Sequence, residues 1–233
     1  MSKMSRRGFV GQAAVGLTAL AVLGGEGAQA QLVYQRSDWN VKEFEELLRV
    51  PARAKQVYDV VPIGGGMFLN NIKNSLNGLQ FGFGIPPRQI RILAGLHGPA
   101  NLLNYDDYVW KKYRLGEWQK ITDPQTGEPA VRNPFYPRKA GKSASQNPDE
   151  ENSVYQDTSV QALQGRGVKF LSCHTALEEQ ARALVRQFKL PQTPEEVVKD
   201  MMAHANPGVL IVASMVASLV LLQSEGHYTY LKV

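Results

Sequence analysis

One cysteine, Cys173, stands in the 233 residues. No internal disulfide can form, so the chain does not belong with the small secreted domains that are stapled by disulfides. The motifs CxxC, HxH and CxxCH are missing, which removes the common structural zinc and c-type haem signatures. The glycine turn Gly64-Gly65-Gly66 has no GxGxxG and no Lys-Ser/Thr pair, so it lacks both standard phosphate-binding fingerprints, and no cofactor is expected. Lys and Arg outnumber Asp and Glu by 26 to 21. They form no basic run or basic helix, which argues against nucleic acid as a partner. Beyond residue 30 the most apolar stretch, VLIVASMVASLVLL at 209–222, falls short of the ~20 residues a membrane helix needs. Stable membrane insertion is therefore not expected. No internal repeat is visible.

What is there is the composition of an ordinary globular domain, 43% hydrophobic and 20% charged, enough to bury a core without a staple. The first thirty residues read as an address. Ser5-Arg6-Arg7-Gly8-Phe9-Val10 resembles the twin-arginine export motif of bacteria. The apolar stretch GQAAVGLTALAVLGG follows, and Ala28-Gln29-Ala30 offers an A-x-A cleavage site that leaves Gln31 as the mature start. This predicts a periplasmic protein whose signal peptide, 1–30, is removed. The alternative, an uncut membrane anchor, is disfavoured by the shortness of the apolar part.

Residues 31–54 form a polar lead-in. Val41, Phe44, Leu47 and Leu48 recur on one face of a short helix, capped by Asp38 or Asn40. Gln56–Ile63 is β-branched and apolar, a buried strand, and Gly64-Gly65-Gly66 breaks it before a helical pattern at 67–81. A second strand, Gln89–Leu96, is ended by His97-Gly98-Pro99-Ala100, and a helix covers about 104–113. Residues 116–153 then lose all periodicity. They hold Pro124, Pro129, Pro134, Pro137 and Pro148, with Trp118, Phe135 and Tyr136 in the first part and the polar tract KAGKSASQNPDEEN in the second. This reads as an insertion: an aromatic lobe, which covers a site or makes a surface contact, and then a loose tether. A short helix near 159–166 leads to a third strand at 168–172. A helix follows from Thr175 to about Lys189. The next helix has a capping box, Thr193 with Glu196, and Pro194 at its first position. Val209–Ala213 is a fourth strand, 214–224 a helix and 227–232 an aromatic edge strand. The order β-α-β-α predicts a three-layer α/β/α sandwich with a five-stranded, mainly parallel sheet over 55–233.

Three stretches together make a more specific pattern. The second strand ends in His97-Gly98-Pro99-Ala100. The third ends in Cys173 and leads into a helix at Thr175-Ala176-Leu177. The chain closes with Leu221-Leu222-Gln223-Ser224-Glu225-Gly226-His227-Tyr228-Thr229-Tyr230-Leu231. In order and spacing these resemble the DsrE/DsrF-like family of small sulfur-handling proteins, over roughly Gln56–Val233 without the insertion. The resemblance implies a sulfur relay. Some members carry a cysteine after the third strand that takes up sulfane sulfur as a persulfide and passes it on, and Cys173 holds the matching position. It also implies a homo-oligomer, and a partner that is a sulfur donor or acceptor, protein or small sulfur compound. Many members have no assigned activity. This chain departs from the cytoplasmic relay pattern in its export signal, its length and its insertion.

His97, Cys173 and His174 all fall at carboxyl ends of strands, where open parallel sheets bind ligands. Cys173 precedes a helix, whose unpaired N–H groups and dipole favour an anion. The thiolate is the reactive form, and a nearby histidine could take the thiol proton. The plainer reading makes Cys173 a small buried apolar residue, His97 a hydrogen-bonding partner of its turn and His174 an exposed residue. His204 and His227 read as structural or surface residues. Three functions follow: a carrier of sulfane sulfur on Cys173; a Cys/His metal or haem site from Cys173, His97 and His174; or a non-catalytic oligomeric binding and assembly module built on the insertion and the edge strand. The leader is testable by itself. With Arg6 and Arg7 both changed to lysine, cell fractionation is expected to find the precursor in the cytoplasm. Undiminished mature protein in the periplasm would refute the twin-arginine reading.

Overall fold

The computed structural model describes residues 33–141 and 144–233. The leader, with Arg6, Arg7 and the cleavage site at 28–30, lies outside the described residues. Residues 33–233 form one compact unit.

Five strands make a single sheet: β1 (Ala54–Val60), β2 (Ile90–Leu96), β3 (Lys169–Cys173), β4 (Leu210–Val212) and β5 (Thr229–Lys232). Their order is β4-β3-β2-β1-β5, and every neighbouring pair is parallel. The period-2 alternation of the strands builds the two faces. Tyr58, Val60, Ile92, Ala94, Leu96 and Phe170 enter one core cluster. Val57, Leu93, Leu171, Cys173, Leu210 and Val212 enter the other.

The first face is covered by the longer connections. α2 (Met67–Asn77) contributes Phe68, Leu69 and Ile72. α5 (Val160–Gly165) contributes Val160 and Leu163. α6 (His174–Phe188) contributes Leu177, Ala181 and Leu184, and α7 (Pro194–Ala203) contributes Val197 and Met201. Between β2 and β3 lie a 3-10 segment, Gly98–Asn104, then α3 (Asp107–Lys112) and α4 (Leu115–Gln119). The second face carries α1 (Val41–Arg49) through Phe44, and α8 (Met215–Ser224) through Met215, Leu219 and Leu222. The three-layer sandwich is as expected. The 41–49 helix is part of it, because Trp39, Phe44, Leu47 and Leu48 pack on the second face. Asn40, not Asp38, caps that helix, accepting from the Glu43 N–H at 3.2 Å.

The expected helix at 104–113 starts later, at Asp107. Residues 98–104 wind as a 3-10 segment after Pro99, and a true helix begins only after Asp106, which caps Val109 N–H at 3.2 Å. The capping box of α7 forms as read: Thr193 Oγ1 accepts from Glu196 N–H at 3.2 Å, and Glu196 accepts from Thr193 N–H at 2.8 Å.

Within 116–153 the aromatic part is packed. Trp118, Ile121, Phe135 and Tyr136 lie against the main cluster. Phe135 sits so close over Gly66 that a Cβ there would come within 2.6 Å of its ring. Gly116 is needed for a different reason: a Cβ on it would lie 2.2 Å from the Ala130 carbonyl oxygen. The polar part is held at its start by Asp157, whose carboxylate accepts from the Lys139 and Ala140 N–H groups at 2.7 Å each. Burial alone would raise the Asp157 pKa, but those bonds and the bond from Ser159 outweigh it and lower the pKa. Limited proteolysis is expected to cut the wild type first within 139–152. Gly116→Ala should cost about 1–3 kcal/mol, as overpacking does, and bring early cuts at 118–135. An unchanged pattern in this variant would contradict the packed lobe.

Candidate functional site around Cys173

β3 leads straight into α6, and Cys173 is both the last residue of the strand and the N-cap of the helix. Its sulfur accepts the Ala176 N–H at 3.5 Å. It also accepts the Met215 N–H at 3.3 Å, from the first residue of α8. Ser214, the N-cap residue of α8, makes no side-chain cap of its own. One sulfur therefore caps two helices. The topology explains the meeting. After β3 the chain turns to the first face, and after β4 it turns to the second. This reversal between neighbouring strands is the switch point at which open α/β sheets bind ligands. An anion at the sulfur faces two helix starts, each with unpaired N–H groups and the positive end of a dipole.

The Cys173 backbone is clamped by Asn101, from the 3-10 segment. Asn101 Oδ1 accepts the Cys173 N–H and the Ser172 hydroxyl, both at 2.9 Å. Its Nδ2 donates to the Cys173 carbonyl at 3.3 Å and to Gln180 Oε1 at 3.2 Å. Gln180 donates to the Gly98 carbonyl at 2.6 Å, and the Tyr105 hydroxyl lies 3.0 Å from Ser172 Oγ. Asn101, Ser172 and Tyr105 are fully buried.

His97 follows β2 with extended backbone, φ −144° and ψ 180°. The β2–β3 register ends at Leu96 opposite Ser172, so His97 comes next, opposite Cys173. Leu96 belongs to the first core cluster, and strand alternation turns His97 to the second face, the face of Cys173. His97 Nε2 lies 2.6 Å from Asp59 Oδ1, and Tyr230 donates its hydroxyl to Asp59 Oδ2 at 2.6 Å. That bond to Asp59 raises the Tyr230 pKa, with burial adding to the effect. A carboxylate that accepts the Nε2 proton leaves the lone pair of His97 on Nδ1. The ring of His97 is thus oriented by Asp59.

His174, expected at the surface on the plainer reading, is buried. Its ring stacks on Tyr34, with centroids 3.9 Å apart and planes 3° from parallel. Burial lowers its pKa, against an opposing pull from the Asp38 carboxylate. Glu178 Oε1 is 3.7 Å from Nδ1, beyond hydrogen-bonding distance, and burial prevails. His204 stacks on Tyr108 and lies 3.1 Å from Asp106 Oδ2. His227 is exposed with φ 55°. Both are structural or surface residues.

Among the described residues no group of three or more His, Cys, Asp and Glu is arranged to hold a metal ion. Cys173, His97 and His174 do not form such a set. Two concave surfaces lie away from Cys173, one lined by Asp106, Tyr108, Asp123, Arg132 and Tyr136, the other by Lys55, His227 and Thr229. Cys173 is only 4% exposed. Any reagent that reaches the thiol must therefore be small, or the cover must shift.

Sequence reasoning missed Asp59, Tyr230, Asn101 and Gln180. Asp59 left a signal, as the one charge in QVYDVVPI, because a buried carboxylate demands partners. Asn101 and Asn104 likewise interrupt the apolar run PANLLNY. No protein-family model matches the chain, and neither a curated protein nor a solved structure does.

The buried His174 gives a pH test. Its ordinary pKa is 6.5, and the folded value is lower. Below pH 6.5 the unfolded chain binds a proton that the buried ring refuses, so stability falls as the pH falls. His174→Phe keeps the ring stack and removes the titration. Between pH 7 and pH 5 the wild-type Tm is expected to drop further than that of the variant, by on the order of 2 °C. Parallel curves would contradict the assignment.

Proposed function

We propose that this chain handles sulfane sulfur, holding it as a persulfide on Cys173. The observation that carries the reading is the two backbone N–H groups, from Ala176 and Met215, directed at one sulfur. They are suited to a thiolate before reaction and to the terminal anion after it. Serine and aspartate are better helix caps than a thiol, which is a weak acceptor. A cysteine at this junction suits chemistry better than capping alone.

His97, oriented by Asp59, takes the thiol proton. The thiolate attacks the outer sulfur of a persulfide or polysulfide. The donor S–S bond breaks, its electron pair leaves with the remaining thiolate or shortened polysulfide, and a new S–S bond joins Cys173 to the transferred atom. Transfer to an acceptor thiolate is the same exchange in reverse. The partner is a sulfur donor or acceptor, and no resident cofactor takes part. Export by the twin-arginine route would put this exchange in the periplasm.

A second reading has its own observation. Cys173 packs with Leu171, Val212 and Leu219 in a core cluster, which suits a non-catalytic assembly module in which the thiol only fills space.

Intact-mass spectrometry after incubation with inorganic polysulfide separates the two. The wild type is expected to gain about 32 Da per transferred sulfur, removable by a thiol reductant. Cys173→Ser should gain none. Absence of a Cys173-dependent adduct would favour the assembly module.

A further inference from the structure

At the amino ends of β1 and β5, positive charge gathers without a matching negative charge. An open cavity of about 590 Å³ lies there, between the end of α1, residues 50–56, Leu79 and the start of β5. Its lining holds Arg49, Arg53, Lys55 and His227 and no aspartate or glutamate. Glu45 answers Arg49 at 2.9 Å. Among the described residues no carboxylate lies within ion-pairing distance of Arg53 or Lys55. The Lys55 ammonium donates instead to the Leu48 carbonyl at 3.1 Å and lies 4.6 Å from the centre of the Tyr228 ring. Burial lowers its pKa, the mark of a cation that has lost water without gaining a counter-ion. The strand register adds another cation. Arg91 on β2 stands directly opposite Lys55, on the same face of the sheet, and donates to the Ile90 carbonyl at 2.8 Å. It too has no carboxylate partner among the described residues. Like charges side by side on neighbouring strands cost stability. Further along this face, Lys169 sits opposite Leu93 and is matched by Glu43. The fold neutralises that lysine and leaves Lys55 and Arg91 unmatched.

We propose that this cavity is a second binding site, for a small organic phosphate whose dianionic group is held between Arg53 and Lys55. The charge count selects the class. Three cations without carboxylate partners, with the His227 imidazole at the same cavity, suit a group of nearly two negative charges better than a carboxylate. The donors are in place. Lys55 spends one of its three N–H groups on Leu48, and the fork of the Arg53 guanidinium matches two phosphate oxygens at once. The Gln56 amide oxygen accepts from Ser75 at 2.7 Å, which leaves its N–H donors for a ligand. Cavities of roughly 300–1,000 Å³ hold small molecules, so this one has room for more than the bare ion. Leu48, Pro51 and Leu79 give an organic body an apolar wall. The bound charge offsets the repulsion between Lys55 and Arg91. The site lies at the opposite end of the strands from Cys173, so it is independent of the sulfur chemistry.

The test is isothermal titration calorimetry of the full chain with phenyl phosphate, a phosphomonoester that is dianionic above about pH 7. Saturable binding is expected, with a Kd below about 1 mM, weaker binding of inorganic phosphate and none of phenol. Arg53→Gln and Lys55→Gln should each weaken phenyl phosphate by about 10-fold, the loss of one charge-assisted hydrogen bond. Arg53 is exposed, so its variant keeps the fold and the circular dichroism spectrum even if Lys55→Gln does not. Arg132→Gln, on the other concave surface, should leave the affinity unchanged. Phosphatidylcholine vesicles doped with phosphatidic acid offer the same group on a lipid, and they are expected not to sediment the protein. No saturable binding of phenyl phosphate would overturn the proposal. So would wild-type affinity in Arg53→Gln, or an equal loss in Arg132→Gln. Inorganic phosphate binding as tightly as phenyl phosphate would overturn the organic class, and binding to the vesicles alone would assign the cavity to a lipid headgroup.

Discussion

The convergence of two helix starts on the sulfur of Cys173 is the contact on which the carboxyl end of this sheet depends. The α6 N–H of Ala176 and the α8 N–H of Met215 come from elements on opposite faces. They meet only because the connections after β3 and β4 part in opposite directions. Asn101 makes the meeting reproducible. It holds the N–H and the carbonyl of the same residue, Cys173, in a fully buried position where a lost partner costs about 1–3 kcal/mol. The sulfur is thereby fixed from its own backbone and from two helices.

Around this point the polar residues divide by face. The amide and hydroxyl groups of Asn101, Gln180, Ser172 and Tyr105 support the backbone from the first face. Asp59, His97 and Tyr230 form a separate chain of hydrogen bonds on the second. The first group fixes the Cys173 backbone and the second orients the His97 ring, so the two tasks fall to different sides of the sheet. His174, the immediate neighbour of Cys173, serves neither. Its ring is occupied by Tyr34 and kept neutral by burial.

Much of the frame was legible in the sequence because it rests on local rules. Apolar β-branched runs located all five strands to within a few residues, and the Thr193–Glu196 capping box located α7. The three-layer architecture followed from the alternation of elements. What was not legible depended on tertiary contacts. Nothing local shows that Phe44 on α1 packs beneath the sheet, or that a 3-10 segment fills 98–104 and delays the next helix to Asp107. Of the site, the position of Cys173 and the proximity of His97 were readable from strand ends. The partners Asp59, Asn101 and Gln180 were not, since each lies about 40 or more residues from its partner or on a different element. Met215 belongs to the site because Cys173, and not the Ser214 side chain, caps α8, a detail of geometry that VLIVASMVASLVLL does not carry.

The central claim is that Cys173 carries sulfur in the living cell. Its most direct test is the intact mass of the protein purified without reductant from the cells that make it. The account predicts a species heavier by about 32 Da, mapped by peptide analysis to Cys173 and lost on reduction. A wholly unmodified thiol under the same preparation, or a metal retained at Cys173, would contradict it.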